Sequence, residues 1–179
     1  MQTKPVHTEA KQETRTIQTN EKAVPTIELS EKTETKSIEK YGFKFEVPKT
    51  WQPDLTDFKA VDLQGKVKTL TTSFVDTLSG ARIQLVYHPG KAGKTLYDYY
   101  RKQKTEKIKI AGQEAVKISK VLKTDGKGHA LKTPLIREKI ILMTPGQSGS
   151  LELILDAKQQ DQKTHSLWQN FLQNMVALK

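Results

Sequence analysis

Three observations predict an α+β fold, in which an antiparallel β-sheet is flanked by helices and preceded by a disordered N-terminal tail. Consecutive segments after Tyr41 alternate apolar and polar residues and are joined by short Gly- or Pro-marked turns, the pattern of a meander of antiparallel strands. Two segments, near residue 97 and near residue 168, repeat their apolar residues at three- and four-residue steps, as helices do when they lie on a sheet. Residues 1–38 hold Thr, Lys, Glu and Gln with isolated apolar residues that no period gathers, and so cannot offset the entropy of ordering. The expected organisation is a polar tether over 1–38 and one domain over 39–179, long enough to bury a single core.

The first strand is Tyr41-Gly-Phe-Lys-Phe-Glu-Val-Pro48. Phe43, Phe45 and Val47 point to one side, Lys44 and Glu46 to the other, and Pro48 ends the ladder because it has no N–H to donate. Trp51 returns a large apolar ring to the same core. Gln52 to Asp57 is expected to be a turn, and Phe58–Leu63 leads through Gln64-Gly65 into a hairpin with Lys66–Val75. Ala81–Tyr87 alternates Ile83, Leu85 and Tyr87 inward and stops at His88-Pro-Gly. Thr95-Leu-Tyr-Asp98 has the form of a helix start, with a hydroxyl for an unpaired N–H and a carboxylate for the positive helix end. A helix to Lys107 follows, with Leu96, Tyr97 and Tyr100 on its inner side. Lys107–Ser119 reads as strand, tight turn at Ala111-Gly112-Gln113, and strand, with Ile108 and Ile110 facing Val116 and Ile118. A polar turn over Lys123–His129, strands Leu135–Met143 and Leu151–Asp156, and a closing helix from about Asp161 complete the order. That helix gathers Trp168, Phe171, Leu172, Met175 and Val176 on one face.

The opening Gly42-Phe-Lys-Phe-Glu-Val-Pro with Trp51, the Ile110-Ala-Gly-Gln-Glu-Ala115 turn, the long late strands and the final Trp168-Gln-Asn-Phe171 helix resemble the Mog1/PsbP-like domain family, nearest to bacterial DcrB-type and PsbP-related lipoproteins. The resemblance covers Tyr41 to Leu178 and is one of layout, since none of these marks is catalytic. It implies an α/β/α sandwich without an enzymatic site or cofactor, set behind a lipidated cysteine and a polar spacer, and serving as an accessory factor for a membrane-associated complex. This chain has no Cys, so such a lipid would sit on a residue absent from it. Met1-Gln-Thr-Lys lacks the basic start and apolar run of a secretory signal, and an exported form would have had its signal removed. The localisation this implies is extracytoplasmic and membrane-anchored. A fold shared by such different tasks does not choose among them.

Thirty basic and 20 acidic residues leave a formal net charge of +10. Residues 1–40 carry seven of each, so the excess falls on the later chain, where residues 91–139 hold 14 basic and five acidic side chains. The candidate contact surface is Arg101, Lys102, Lys104, Lys107, Lys109, Lys117, Lys120, Lys123 and Lys127, facing an envelope protein complex or an anionic membrane; the bland use of such a surface is solvation. Tyr97, Tyr99 and Tyr100 beside those charges can be read as a stacking platform, but packing is the commoner use, and no nucleic acid is expected.

Gly90-Lys-Ala-Gly-Lys-Thr95 is two residues short of a phosphate loop, which leaves Gly93, Lys94 and Thr95 as a candidate anion site at a helix start. His7, His88, His129 and His165 make no ligand pair by spacing, and Gly146-Gln-Ser-Gly lies in a hairpin, the wrong context for a nucleophile elbow. No metal or catalytic residue is therefore expected. An immunity or inhibitor protein binding an acidic toxin surface is the second functional class, and an anion- or nucleotide-binding enzyme the third.

Overall fold

A computed structural model describes residues 34–179. Of the expected tether over residues 1–38, residues 1–33 lie outside the described residues. Among the described residues ten strands and two α-helices follow one another: β1 (Thr35–Lys40), β2 (Phe43–Pro48), β3 (Gln52–Val61), β4 (Val67–Val75), β5 (Arg82–Pro89), α1 (Gly90–Lys102), β6 (Glu106–Ile110), β7 (Gln113–Thr124), β8 (Ala130–Met143), β9 (Gly149–Lys158), α2 (Gln162–Gln173) and β10 (Val176–Ala177). Seven strands form one sheet in the order β3-β4-β5-β9-β8-β7-β6, and three form another in the order β1-β2-β10. Every pairing among them is antiparallel, as the α+β reading requires.

Strand alternation divides the large sheet into two inner surfaces. Ile83, Leu85, Leu151, Leu153, Leu155, Ile140 and Leu142 face the small sheet and α2, where they pack with Phe43, Phe45, Val47, Trp51, Trp168 and Phe171. Phe45 stacks on Phe171 at 5.5 Å and Phe171 on Trp168 at 5.4 Å, so the opening strand and the closing helix share one aromatic column. Val116 and Ile141 face the other way and meet Tyr97 of α1, with Tyr100, Ile118 and Met143 around them.

Several boundaries differ from the sequence reading for local reasons. Residues 35–38, expected in the tether, belong to a strand: β1 pairs along all of β2, from Thr35 opposite Pro48 to Lys40 opposite Phe43, and Ile38 joins the core. Gln52–Asp57 is strand, not turn: β3 keeps its ladder to β4 through register shifts at Pro53/Leu55 and Leu55/Phe58, and Asp57, with φ of 47°, takes up the irregularity. Helix α1 starts at Gly90, leaving Thr95 in its interior and no side chain capping it, and it stops at Lys102 rather than Lys107. The turn at Ala111-Gly112 has φ of 50° and 76°, a two-residue hairpin that pairs Ile110 with Gln113 and Ile108 with Ala115. Val116 and Ile118 consequently lie on the face opposite Ile108 and Ile110. Val176, expected on the last helix, belongs to β10 and is 53% exposed, because α2 ends at Gln173 and the chain turns back to pair with β2.

Candidate functional site

The basic side chains assemble around the C-terminal end of α1. Arg101 and Lys102 occupy its last turn, where cations suit the negative end of the helix, and Lys104 follows in the connection. Lys107 pairs in register with Val116, which touches α1, so Lys107 and Lys109 of β6 project on the α1 side of the sheet. Ile118 and Lys120 of β7 share that side by alternation. Arg101, Lys102, Lys104, Lys107, Lys109 and Lys120 are all exposed and form one corner.

Lys123 and Lys127 extend this corner on a feature without a local sequence signature. β6 pairs with β7 only as far as Lys117, and β9 pairs with β8 only from Leu135. The β7–β8 ladder nevertheless continues to Thr124 opposite Ala130. The stretch between is a two-stranded ribbon projecting past the sheet, with Lys120, Lys123, Lys127 and Lys132 exposed on it and Asp125 as its single acid. That acid is used in the turn, accepting from the Lys127 and His129 backbone N–H groups at 2.8 Å each, while its Oδ2 lies 3.0 Å from His129 Nδ1.

Lys117 does not belong to the corner. It lies on the opposite face, its Nζ 3.6 Å from Glu138 Oε2 and 3.9 Å from Glu106 Oε2, in a cleft of about 340 Å³ that Ile108, Gln169 and Leu172 also line. Glu138 is nearly buried because Trp168 Nε1–H donates to its Oε1 at 2.6 Å, giving the carboxylate a partner inside the core.

Gly93, Lys94 and Thr95 do not form a loop that can wrap an anion. They lie within α1, where backbone N–H groups turn inward to carbonyls one turn back. At the helix start itself, the Gly90 N–H donates to the Ser148 carbonyl at 2.7 Å. Gly93 is a packing residue: a Cβ there would collide with the His88 carbonyl oxygen and the Ser150 nitrogen, so its absence lets α1 lie directly on β5 and β9.

Under that contact lies a polar group that the sequence reading did not assemble. His88, where the sequence pattern stops the strand, lies within β5 and directly opposite Ser150 on β9. Its Nε2 is 3.5 Å from Glu152 Oε2, close enough for attraction when protonated and too long for a well-formed hydrogen bond. Lys139 Nζ donates to Glu152 Oε1 at 3.2 Å and stands 5.9 Å from the Tyr100 ring centroid. Burial pushes the Glu152 carboxyl up, but His88 and Lys139 together outweigh it and hold the group below its ordinary range. His88 Nε2 and Ser150 Oγ have no hydrogen-bond partner, and Ser150 is fully buried. Ser, His and Glu thus stand on neighbouring strands, but the hydroxyl is closed off from any substrate. Only the strand register brings them together; no spacing in the chain announces it. Among the described residues no three His, Asp or Glu side chains are placed to hold a metal ion, and no helix is long and apolar enough to cross a membrane.

The class these features define is an α+β antiparallel-sheet domain with one densely basic corner, from which a ribbon projects. No protein-family model and no curated protein matches the chain.

Proposed function

We propose that this protein is a non-enzymatic binding protein of the cell envelope, an accessory factor that assembles or stabilises a membrane-associated complex by presenting its basic corner and ribbon to an acidic protein surface. The observation that carries this reading is the convergence of Arg101, Lys102, Lys104, Lys107, Lys109 and Lys120 from three elements onto one corner, with Lys123 and Lys127 carried outward on the ribbon. Such a field raises the encounter rate with an acidic partner and suppresses wrong partners more than it adds affinity. The burial of Ser150 supports a structural use for the one Ser-His-Glu grouping. The layered arrangement of helix, sheet and second helix-bearing layer supports a Mog1/PsbP-like sandwich, and the polar composition before Glu34 supports a spacer behind a lipid anchor.

Chemical cross-linking of the full chain to native envelope, followed by recovery, tests the proposal. Recovery of a defined acidic complex is expected, weakened by moderate salt and lost in a Lys107→Glu/Lys109→Glu/Lys120→Glu variant. Recovery that ignores both salt and charge reversal overturns it, as does turnover of a substrate that Ser150→Ala abolishes.

A further inference from the structure

Helix α1 has a second apolar stripe that the fold does not use. Tyr97 is buried against the sheet and Tyr100 packs beside it. Ala92, Leu96 and Tyr99, at i, i+4 and i+7, run along another side of the helix; Ala92 is exposed, Leu96 half-buried and Tyr99 57% exposed. With Lys91 and Thr95 they line an open, mainly apolar depression of about 600 Å³. A neighbouring hollow of about 350 Å³ continues it along Thr95, Asp98, Tyr99, Lys102 and Gln103.

The charges around this stripe are not explained by folding. Lys91 and Lys94 occupy the first turns of α1, which hold no acidic residue, so they work against the positive end of the helix dipole. Lys91, Lys94 and Lys102 have no ion-pair partner among the described residues, and Asp98 is turned to Arg101 at 3.9 Å. A local rule broken without a packing return points to a surface that is used. Lysines flanking an aliphatic and aromatic stripe match the chemistry of an anionic bilayer surface: phosphate for the ammonium groups, the headgroup boundary for a ring with an apolar body and a polar tip. A purely charged surface would satisfy the lysines but leave Leu96 and Tyr99 uncovered. A nucleic acid stacks successive bases on successive exposed rings, whereas Tyr99 is the one exposed ring on α1.

We propose that α1 seats the domain on an anionic membrane surface, with Leu96 and Tyr99 at headgroup depth and Lys91, Lys94 and Lys102 against lipid phosphates. The inference rests on the envelope-binding reading and adds a second surface that shares Lys102 with the basic corner and leaves Lys107, Lys109 and Lys120 free for protein. Flotation of the full chain with vesicles of phosphatidylcholine and phosphatidylglycerol, against vesicles of phosphatidylcholine alone, is the test. Binding to the anionic vesicles alone, reduced by salt, is expected; Lys91→Gln/Lys94→Gln/Lys102→Gln lowers it by at least about tenfold. Leu96→Ser/Tyr99→Ser, at positions not fully buried, lowers it at every salt concentration while the circular dichroism spectrum is retained. Absence of flotation, equal flotation on both vesicles, or wild-type flotation of the lysine variant overturns the inference. If flotation fails while cross-linking at Lys107, Lys109 and Lys120 persists, this inference falls and the protein-binding reading stands.

Discussion

Gly93 shows how one missing methyl sets the place of a helix. At an exposed helical position Gly→Ala stabilises by about 1 kcal/mol. At residue 93 the sign reverses, because the new Cβ meets the backbone of His88 and Ser150 and must lift α1 from the sheet. Gly93→Ala is expected to lower stability by about 2–3 kcal/mol in urea unfolding. Ser150 behaves oppositely: its buried hydroxyl has no partner, so Ser150→Ala leaves stability unchanged or raises it by up to about 1 kcal/mol, and a larger loss would reveal a hydrogen bond to that oxygen. Glu152 gives a pH signature. Its carboxyl is held below the ordinary value of 4.5, so its contribution is complete above that pH and is lost as pH falls through the lower folded value. Asp57 beside Lys40 is held low too, so the informative quantity is a difference between proteins. Urea midpoints measured against pH are expected to fall less steeply below pH 4.5 in Glu152→Gln than in the wild type. None of the three roles was legible from sequence. Gly93 read as part of a phosphate loop and His88 as the end of a strand, because each is defined by a neighbour more than 50 positions away along β9.

At the scale of elements, the helices show where sequence signals hold. Asp161 was legible as a helix start, and it caps α2 by accepting from the Thr164 N–H at 3.0 Å and the Thr164 hydroxyl at 2.6 Å. Asp161→Ala is expected to cost about 1 kcal/mol, measured as a lowered thermal midpoint with the native fold kept. The Thr95-Leu-Tyr-Asp98 signature failed because the chain leaving β5 at Pro89 can turn directly into helix: Gly90 adopts φ of 61° and its N–H finds the Ser148 carbonyl. A tertiary bond replaced the side-chain cap. The β7–β8 ribbon makes the same point for strands. Lys117–Lys123 looks like an ordinary charged strand end, and only the earlier stopping points of β6 and β9 turn it into a projection.

At the scale of the molecule, β1 completes the small sheet as a neighbour of β2. A chain starting at Tyr41 removes the ladder to β2, the packing of Ile38 and the pairing of Lys40 with Asp57 at 2.6 Å. It is expected to lose roughly 2–4 kcal/mol of stability. It also exposes an edge of β2, so light scattering on heating should rise. β1 escaped the sequence reading because Thr35–Lys40 alternates a single apolar residue, Ile38, with polar ones, a pattern that acquires meaning once β2 lies alongside. By itself the sequence determined the α+β class, the inward sets Phe43/Phe45/Val47 and Leu151/Leu153/Leu155, the α2 face and the basic bias of residues 91–139, because period and charge are local properties of a chain. Tertiary structure alone decided the pairing of Thr35–Lys40 with β2, the placing of His88 beside Glu152, the placing of Lys117 apart from the other lysines, and the ribbon. Each of these depends on which strand lies next to which and in what register, and a shift of one residue in that register moves a side chain to the other face of the sheet.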